Sequence, residues 1–570
     1  MAQITGGELL LKCLHTEGVT TIFGVLDGSH NAFLAKLSKY QMRFVSARHE
    51  AAAAHMAEAW ARITGTPGVV ITGIGPGAAN MVSGVITAHA EGSPLIAISG
   101  QRRRNIIYPD RGGGFQVASL IDLYAPVTKW STGLRLWQRL PELVRQAYRR
   151  AVSGRPGPVY LEIPEDLLRG AGDEDDAPVY APSAYRVTHL GSGDPALVQQ
   201  AVDLLLSARR PLLHAGAGVA WSGAWDELLA LTEHLGACVT TTLAARGVVP
   251  EDHPRYFHPL DRDALETAQT EADVVLAVGT RFGEVDGWGR PPVWGTADSQ
   301  KVIQIDSDPV SIGVNRPVDL AIIGDARATL QALLARVTAA TAPRPPHPDV
   351  ERYNARRARW QAQRAAALHM GQRGINPGQM VQTVRDFFPR DAITVMDGGN
   401  TSLWCASYNP IFTPRSYLYT AKFGHLGTGL PYAVGAKLAA PQRTVYLVSG
   451  DGAFGFNIQE LETAVRHGAA FVAIVAVDRG WGMERSSQMM AQLGHFVETE
   501  LYADVRYDQI AMGFGCHGEF VATLDELLPA LQRSVASARP AVIQVMVDIE
   551  ANMAPPGLLE FGSLVYRATD

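Results

Sequence analysis

Short apolar runs alternate with amphipathic segments along most of this chain. Residues 6–18 place Leu9, Leu10, Cys13 and Leu14 at helical spacing, and the apolar run TTIFGVL follows directly. Short apolar runs bounded by glycine or proline are typical of buried strands, whereas an apolar residue every three or four positions predicts a helix lying on a core. Because the two kinds of segment alternate repeatedly, we predict an α/β fold built on doubly wound parallel sheets.

Two segments interrupt this alternation and divide the chain into three units. Residues 170–192 are acidic and rich in Pro, Gly and Ser, and residues 341–349 are rich in Pro. Such compositions are typical of linkers. The length of 570 residues agrees with several domains, because one hydrophobic core rarely serves so long a chain. We therefore expect three doubly wound domains and a C-terminal tail, at residues 1–170, 193–337, 352–549 and 550–570.

The stretch from Gly450 to Gly480 places acidic residues at the ends of two predicted strands. An apolar run at residues 444–448 leads to Gly450-Asp451-Gly452, a helical segment follows, and a second apolar run leads to Asp478. The carboxyl ends of parallel strands line one crevice, so we expect the two carboxylates to lie close together. Carboxylate oxygens suit Mg²⁺, which takes one or two carboxylates together with phosphate oxygens.

Composition and charge exclude several other classes of protein. The net charge of −6 and the pI of about 6.3 give no electrostatic reason for binding nucleic acid or a membrane surface. The four cysteines form no CxxC pair, which argues against structural zinc and fits a reducing compartment. The chain shows neither a secretory leader nor a run of about 18 apolar residues. We expect a soluble, cytoplasmic protein.

The stretch from Gly450 to Gly480 resembles the metal motif of thiamin diphosphate enzymes, in which GDG is followed after a similar interval by an Asn and a Gly-rich turn. The resemblance implies that Asp451, Asp478 and the carbonyl of Gly480 bind Mg²⁺ on the cofactor diphosphate. Relatives mostly carry Asn-Asn where this chain has Val477-Asp478. Asp478 still offers an oxygen but adds a negative charge beside the diphosphate, and we expect metal binding to survive.

Residues 47–101 closely resemble the pyrimidine-binding domain of the acetolactate synthase, benzaldehyde lyase and 2-hydroxyacyl-CoA lyase group of these enzymes. The resemblance covers all three units and implies pyrimidine-binding, central and diphosphate-binding domains in that order. A lone Glu50 at a helix start would indicate only a favourable charge–dipole contact. In the family, however, a Glu at this position hydrogen-bonds the aminopyrimidine ring, which then removes the proton from thiazolium C2. The family also implies a homodimer, assembled into a homotetramer, in which Glu50 of one chain serves a cofactor held by Asp451 of another.

Other positions match cofactor-binding loops of the family. Phe423 to Gly427 resembles the turn whose carbonyl (Gly424) and amide (Leu426) hold the aminopyrimidine, with Leu426 in place of the usual Met under the cofactor. Gly398 and Gly399 fit a plain turn at a strand end equally well. The remaining positions that the resemblance assigns to the cofactor are Pro76, Asn80, Gly398, Gly399, Asn400, Thr401, Gly450, Asp451, Gly452, Ala453, Trp481, Gly482 and Met483.

Four side chains are candidates for proton transfer on the substrate. His30 lies near the position of an active-site His in benzaldehyde lyase, and Gln116 matches a Gln of acetolactate synthases. His425 precedes Leu426 and faces either substrate or solvent. Glu484 falls where 2-oxo acid decarboxylases carry a catalytic Glu, although a solvated acid at a helix start is the simpler interpretation.

The resemblance implies an enzyme that makes or breaks carbon–carbon bonds. The leading interpretation is a lyase or carboligase acting on a 2-hydroxy ketone or a 2-hydroxyacyl-CoA, through a C2 ylide and an enamine-type intermediate. The alternative is a 2-oxo acid decarboxylase or acetolactate synthase-like enzyme that releases CO₂, which Glu484 favours. An alternative of another class is a non-catalytic regulatory paralogue, against which Glu50 and Asp451 argue.

Two further features suggest additional ligands. Arg102-Arg103-Arg104 is either a solvated basic face or a clamp for the phosphate of an acyl-CoA, with the apolar tail (Leu558, Leu559, Phe561) as a lid. Gly216-Ala217-Gly218 resembles a nucleotide-binding turn but lacks the third glycine of GxGxxG. Whether the central domain binds FAD, ADP or no nucleotide therefore stays open.

Overall fold

The fold rests on three six-stranded parallel sheets, as the sequence predicts. A computed structural model describes residues 3–371 and 373–559. All strand pairs within the N-terminal sheet are parallel. In spatial order its strands are Arg43–Ser46, Thr21–Gly24, Gly68–Thr72, Leu95–Gln101, Pro158–Pro164 and Ser131–Gly133. The α/β class and the doubly wound arrangement are confirmed.

The C-terminal sheet repeats the strand order of the N-terminal sheet. Numbered along each domain, both sheets run 2-1-3-4-6-5, and the C-terminal pairs are again parallel. Its strands in spatial order are Tyr417–Leu418, Ile393–Asp397, Val445–Gly450, Val472–Val477, Ala541–Met546 and His517–Val521. In both sheets the chain reverses its winding between the first and third strands, and ligands bind at such switch points, beyond the carboxyl ends of the strands.

The central sheet has a different order, 3-2-1-4-5-6, and is also parallel throughout. Its strands in spatial order are Tyr256–Phe257, Cys238–Thr241, Pro211–Ala215, Val274–Val278, Lys301–Asp306 and Leu320–Ile323. The three sheets therefore belong to one architectural class, but only the two outer domains share a strand order.

Helices cover both faces of each sheet. Those of the N-terminal domain are Gly6–Thr16, Asn31–Leu34, Glu50–Thr64, Pro76–Glu91, Arg104–Ile107, Leu120–Tyr124, Leu140–Val152 and Glu165–Arg169. Those that follow, up to the second linker, are Pro195–Ser207, Ala217–Ser222, Trp225–Leu235, Arg262–Glu271 and Ala326–Ala340. The remainder are Val350–Ala367, Pro377–Phe387, Asn400–Tyr408, Gly429–Ala439, Asp451–Gly455, Glu460–His467, Gly482–Met490, Tyr507–Gly513, Leu524–Ala536 and Ile549–Asn552. Within residues 3–371 and 373–559, no helix is both long and apolar enough to cross a bilayer.

The first predicted linker contains a strand, and a helix begins directly after the second one. Residues Ala171–Asp173 form a strand that pairs antiparallel with Gln3–Thr5. The helix Val350–Ala367 spans the predicted boundary at residue 352, and its first turns pack on the central domain. Ion pairs fasten it there, with Arg210 Nε 2.6 Å from Asp349 Oδ2 and Arg352 bound to Glu271.

A single hydrophobic core joins the N- and C-terminal domains. It contains buried residues of both sheets together with the helices Glu50–Thr64, Pro76–Glu91 and Gly429–Ala439. The first and last of these helices lie so close that a Cβ on Gly435 would be 2.4 Å from the carbonyl oxygen of Met56. The helix that Glu50 begins is therefore fixed against the domain that carries Asp451.

Candidate cofactor and metal site

The two predicted metal ligands follow neighbouring strands of the C-terminal sheet. Asp451 comes directly after Val445–Gly450 and begins a helix, and Asp478 comes directly after Val472–Val477. Both side chains are almost completely buried. The Asp451 carboxylate accepts hydrogen bonds from the N–H groups of Gly452 and Arg479, each at 2.8 Å.

The electrostatics of this pair suit a divalent cation. Burial raises the pKa of Asp451 and Asp478, and the nearby charge of Asp478 raises the pKa of Asp451 further. A cation would relieve both effects. Among the described residues no three His, Cys, Asp or Glu side chains converge on one point. The remaining ligands of a six-coordinate Mg²⁺ would therefore be main-chain carbonyls, water or diphosphate oxygens.

The loop after Ile393–Asp397 lies beside this pair and is organised by a residue that sequence analysis overlooked. Asp397 is buried, and its carboxylate accepts hydrogen bonds from Gly427 N–H at 3.3 Å and Gly429 N–H at 2.8 Å. Burial raises the pKa of Asp397 to about 7. Gly398 has φ of +109°, a backbone conformation that favours glycine. Asp397 thus ties the loop 398–401 to the turn that contains Gly424 and Leu426.

Helix N-termini converge on the carboxylate pair. The helices Asn400–Tyr408, Asp451–Gly455 and Gly482–Met490 all begin here. No side chain caps the N-termini of Asn400–Tyr408 and Gly482–Met490, whereas the Asp451 carboxylate accepts the Gly452 N–H in the first turn of its own helix. Uncapped N–H groups and the positive end of the helix dipole bind phosphate oxygens well, above all in the two longer helices. The structure therefore brings the matched positions at 398–401, 450–453 and 481–483 together around Asp451 and Asp478.

Asn400 is buried at the start of the helix Asn400–Tyr408, and its side-chain amide is engaged within the protein. Its Nδ2 donates to Ser486 Oγ at 3.0 Å and to the main-chain oxygen of Asn552 at 2.9 Å. Both amide hydrogens are thereby used, so Asn400 has none left for a diphosphate in this conformation. Thr401, which is also buried, and the main-chain N–H groups are the better donors.

Glu50 lies with Asn80 and Pro76 at the start of two packed helices. Glu50 is half-buried and begins Glu50–Thr64, while Pro76 begins Pro76–Glu91. Asn80 Nδ2 donates to Glu50 Oε2 at 3.1 Å, and Gly77 leaves room for the other carboxylate oxygen. This hydrogen bond orients the Glu50 carboxylate at the helix start where the sequence predicts it.

His425 is fixed between the two outer domains. Its Nδ1 lies 3.0 Å from Thr87 Oγ1, and its ring centroid is 4.9 Å from that of His55. Burial lowers the pKa of His425, so the imidazole is neutral at neutral pH. Neighbouring Leu426 is half-buried, and Gly424 is exposed.

The other proton-transfer candidates lie on two different domains. His30 is completely buried, its Nδ1 accepts the Asp27 N–H at 3.3 Å, and burial lowers its pKa. Gln116 is half-buried, with its main chain against Gly75. Glu484 is exposed on the helix Gly482–Met490. The structure places His30 and Gln116 at the carboxyl edge of the N-terminal sheet and Glu484 at the metal turn.

The basic run after Leu95–Gln101 is paired with carboxylates of the neighbouring strand end. Arg102 Nη1 lies 3.2 Å from Glu165 Oε1, and Arg104 Nε donates to Asp166 Oδ2 at 2.8 Å. These carboxylates offset the positive charge with which the arginines would bind a phosphate. In the tail Leu558 is buried and Leu559 is exposed, while Phe561, the third residue of the suggested lid, lies outside the described residues.

Two further residues of the site were not predicted. Arg485 and Asn552 are buried and both contact Asp478. Arg485 lies in the helix Gly482–Met490, one residue after Glu484, and the sequence pattern gives no indication of its contact with Asp478. Asn552 lies in the segment that we assigned to an aperiodic tail, and nothing in the sequence pattern marks it.

Comparison with known protein families matches all three domains. The thiamine pyrophosphate enzyme N-terminal TPP binding domain matches residues 4–120, the central domain matches residues 198–333, and the C-terminal TPP binding domain matches residues 397–545. Each match lies in the region of one of the three parallel sheets, and the N-terminal match ends before the strands Ser131–Gly133 and Pro158–Pro164.

Curated proteins of similar sequence cover nearly the whole chain. A probable acetolactate synthase large subunit of Methanocaldococcus jannaschii is 32% identical, over 97% of this chain and 94% of its own length. The acetolactate synthase isozyme 3 large subunit of Escherichia coli is 29% identical, over 97% of both chains. A sulfoacetaldehyde acetyltransferase of Alcaligenes xylosoxydans is 30% identical, over 96% of this chain and 94% of its own.

Proposed function

The chain belongs to the thiamine pyrophosphate enzyme family, and from this premise we propose that it binds thiamin diphosphate with Mg²⁺ and catalyses a carbon–carbon bond reaction. The observation that carries the proposal is the pair of buried carboxylates, Asp451 and Asp478, beside the uncapped N-termini of two helices, Asn400–Tyr408 and Gly482–Met490. Two ionised carboxylates in such a place are costly without a cation. The donor set therefore fits a metal-bound diphosphate.

Each part of the cofactor would meet a distinct set of residues. Asp451, Asp478 and the carbonyl of Gly480 would bind the metal. The helices Asn400–Tyr408 and Gly482–Met490 would bind the diphosphate through their first N–H groups. When bound, thiamin diphosphate supplies a nucleophilic carbon that adds to a carbonyl group.

The remaining side chains would orient the cofactor and move protons. Glu50, held by Asn80, would hydrogen-bond the aminopyrimidine ring. His425 is neutral and accepts or donates one proton at a time, and Glu484 adds a carboxylate at the metal turn. Both are candidates for proton transfer at the substrate.

The reaction that the relatives support best is acetolactate synthase-like: a 2-oxo acid loses CO₂, and its remaining carbons are joined to a second carbonyl compound. Full-length similarity to acetolactate synthase large subunits supports this choice over the 2-hydroxy ketone lyase that we first favoured. The arginines at 102–104 are paired, so no observation favours an acyl-CoA substrate. Because these relatives are named large subunits, binding of a smaller partner subunit is a further hypothesis for this chain.

A second candidate is acyl transfer from a sulfonated aldehyde. The sulfoacetaldehyde acetyltransferase relative supports it at a level of identity close to that of the acetolactate synthases. The two candidates differ in whether CO₂ or sulfite leaves, which makes them simple to separate.

Product analysis with Mg²⁺ and thiamin diphosphate tests both. The panel comprises pyruvate, benzoylformate, sulfoacetaldehyde with phosphate, benzoin and oxalyl-CoA, each with wild type and Glu50→Gln. CO₂ release with a coupled hydroxy-keto product supports the first candidate, and sulfite release supports the second. Cleavage of benzoin without CO₂ would restore the lyase interpretation. Failure of the wild type to bind thiamin diphosphate would refute the proposal as a whole.

Whether the central domain binds FAD, ADP or no nucleotide stays open. A cavity of about 50 Å³ lies where the three domains meet, lined by residues that include Arg62, Ala217, Trp221 and Arg246. A yellow purified protein, or ADP released on denaturation, would establish a bound nucleotide.

A further inference from the structure

Asp478 is held by two side chains that come from later in the sequence. Asn552 Nδ2 donates to Asp478 Oδ2 at 2.9 Å, and Arg485 Nη1 lies 3.6 Å from the same oxygen. The exposed fractions are 2% for Asp478, 5% for Arg485 and 3% for Asn552. All three groups are thus shielded from water. Hydrogen bonds and charge interactions are stronger in such a buried environment than in water.

The Arg485 guanidinium also hydrogen-bonds the main chain of the turn that carries Asp478. Nη1 donates to the main-chain oxygen of Asp478 at 3.1 Å, and Nη2 donates to that of Arg479 at 3.0 Å. A Cβ on Gly480 would lie 2.2 Å from Nη2, so only glycine allows this approach. The turn at residues 478–480 therefore needs glycine at position 480 to accommodate Arg485.

The charges of the buried side chains explain why a cation is needed beside Asp451 and Asp478. Asp451 and Asp478 bring two carboxylates into one buried place, and Arg485 is the cation that the structure places against Asp478. With Arg485 the three ionised groups carry one net negative charge, and a divalent cation brings the sum to one positive charge, which suits a diphosphate. Without Arg485 the second carboxylate would be uncompensated.

Asn552 connects the same carboxylate to the C-terminal helix. Its main-chain oxygen accepts from Asn400 Nδ2 at 2.9 Å, and the next oxygen, of Met553, accepts from Ser486 Oγ at 3.0 Å. The helix Ile549–Asn552 thus contacts both the loop at 400 and the metal turn. Its side-chain and main-chain contacts converge on the candidate diphosphate site.

We propose that Arg485 and Asn552 are positioning residues for the metal-binding carboxylate, Arg485 by offsetting the charge of Asp478 and Asn552 by fixing its orientation from the C-terminal helix. The inference rests on the proposed function, because it takes Asp478 to be a ligand of Mg²⁺ bound with thiamin diphosphate. It concerns residues that do not touch the cofactor, and it accounts for an Asp at this position.

A double-mutant cycle tests the role of Arg485. Calorimetry measures the affinity of the full-length apo-protein for thiamin diphosphate at fixed Mg²⁺, in wild type, Asp478→Asn, Arg485→Met and the double variant. Each single variant is expected to bind at least about tenfold more weakly, because each leaves a buried charge without its partner. The double variant is expected to bind within about threefold of wild type. Losses that simply multiply would overturn the charge-offset role.

Arg485→Lys separates charge from shape. Lysine keeps the positive charge but lacks the fork that spans two carbonyl oxygens, so we expect an affinity between those of wild type and Arg485→Met. This variant also keeps the test decisive if Arg485→Met does not fold. If Arg485→Lys binds thiamin diphosphate with the affinity of wild type, the two hydrogen bonds from the guanidinium to main-chain oxygens contribute nothing to cofactor binding.

Asn552→Ala tests the second residue, with Ile549→Ala on the exposed side of the same helix as its control. Loss of the Asn552 amide is expected to weaken Mg²⁺ binding about tenfold while leaving turnover at saturating Mg²⁺ within about twofold. The control is expected to bind Mg²⁺ as wild type does. Equal Mg²⁺ affinities in both variants would refute the role of Asn552. A wild type that binds no thiamin diphosphate would instead refute the proposed function.

Discussion

Two carboxylates at neighbouring strand ends dominate the candidate site at the scale of single residues. Asp451 and Asp478 are buried beside each other, and the protein compensates them with main-chain N–H groups, Arg485 and Asn552. Buried charges persist where hydrogen bonds and counter-charges satisfy them. The same reasoning applies to Glu50 and Asp397, whose carboxylates each have a defined donor.

Glu50→Gln is expected to abolish most activity while leaving the cofactor bound. Glutamine keeps the size of the side chain and can still contact Asn80, but it cannot carry the negative charge that, on the proposed function, would polarise the aminopyrimidine. We expect turnover to fall by at least about 100-fold, with thiamin diphosphate affinity within about fivefold of wild type. Steady-state kinetics and calorimetry measure the two quantities.

Glu142→Gln is the control, since Glu142 also lies in the first turn of a helix but pairs on the surface with Arg139. It is expected to behave as wild type. Turnover of Glu50→Gln above about a tenth of wild type would exclude Glu50 from proton activation of the cofactor.

Asp397→Asn is expected to change how stability depends on pH. Burial raises the pKa of Asp397 to about 7, above its value in the unfolded chain. Between these two values the folded state holds a proton that the unfolded state releases, so the free energy of unfolding falls as pH rises. Relative to the Asn variant, wild type should lose on the order of 2 kcal/mol between about pH 5 and about pH 7, and little more above that range.

Thermal unfolding of both proteins across this pH range provides the measurement. Asp391→Asn, at the exposed approach to the same strand, serves as control and should follow the pH dependence of wild type. Parallel curves for wild type and Asp397→Asn would contradict the raised pKa of Asp397.

At the scale of elements, the loops that carry the candidate site residues could be predicted from the sequence, whereas the elements that contact those loops could not. Val445–Gly450 and Val472–Val477 are continuous apolar runs, so their ends, and the acids that follow, could be located from pattern alone. Asn552 and the helix Val350–Ala367 could not be located, because their contacts are made across long separations in sequence. Periodicity describes which face of an element is buried, not which neighbour buries it.

Gly435 tests the contact between helices Glu50–Thr64 and Gly429–Ala439. A Cβ at Gly435 would lie 2.4 Å from the oxygen of Met56 and 3.0 Å from the Cβ of Ala59. Gly435→Val is therefore expected to separate the helices and to lower the free energy of unfolding by about 1–3 kcal/mol. Urea unfolding monitored by circular dichroism measures the change.

The matched control is Gly513→Ala, at a helical glycine with no atom within 4 Å of the added Cβ. There the more favourable helix propensity of alanine should stabilise the protein by about 0.5–1 kcal/mol. Destabilisation by Gly513→Ala as large as that by Gly435→Val would remove the helix contact as the explanation.

At the scale of the whole molecule, the two outer domains share both a strand order and a core. Their sheets run 2-1-3-4-6-5, and one hydrophobic cluster includes helices from each. Each places its candidate residues at the carboxyl edge of its own sheet: Glu50 begins a helix of the first, and Asp451 follows a strand of the second. A cofactor that spans both kinds of site needs one domain of each type, and a homodimer provides two such combinations.

Complementation between inactive variants tests whether one site draws on two chains. Glu50→Gln and Asp451→Asn are each expected to be inactive alone. If Glu50 of one chain serves the metal site of its partner, a mixed dimer contains one intact site and one doubly altered site. Random assembly makes about half of all dimers mixed, so co-expression should restore about 25% of wild-type activity. If each site is built within one chain, every site carries an alteration and the co-expressed protein stays inactive. Two affinity tags, used in sequence, isolate the mixed dimer and raise the expected activity to about 50%.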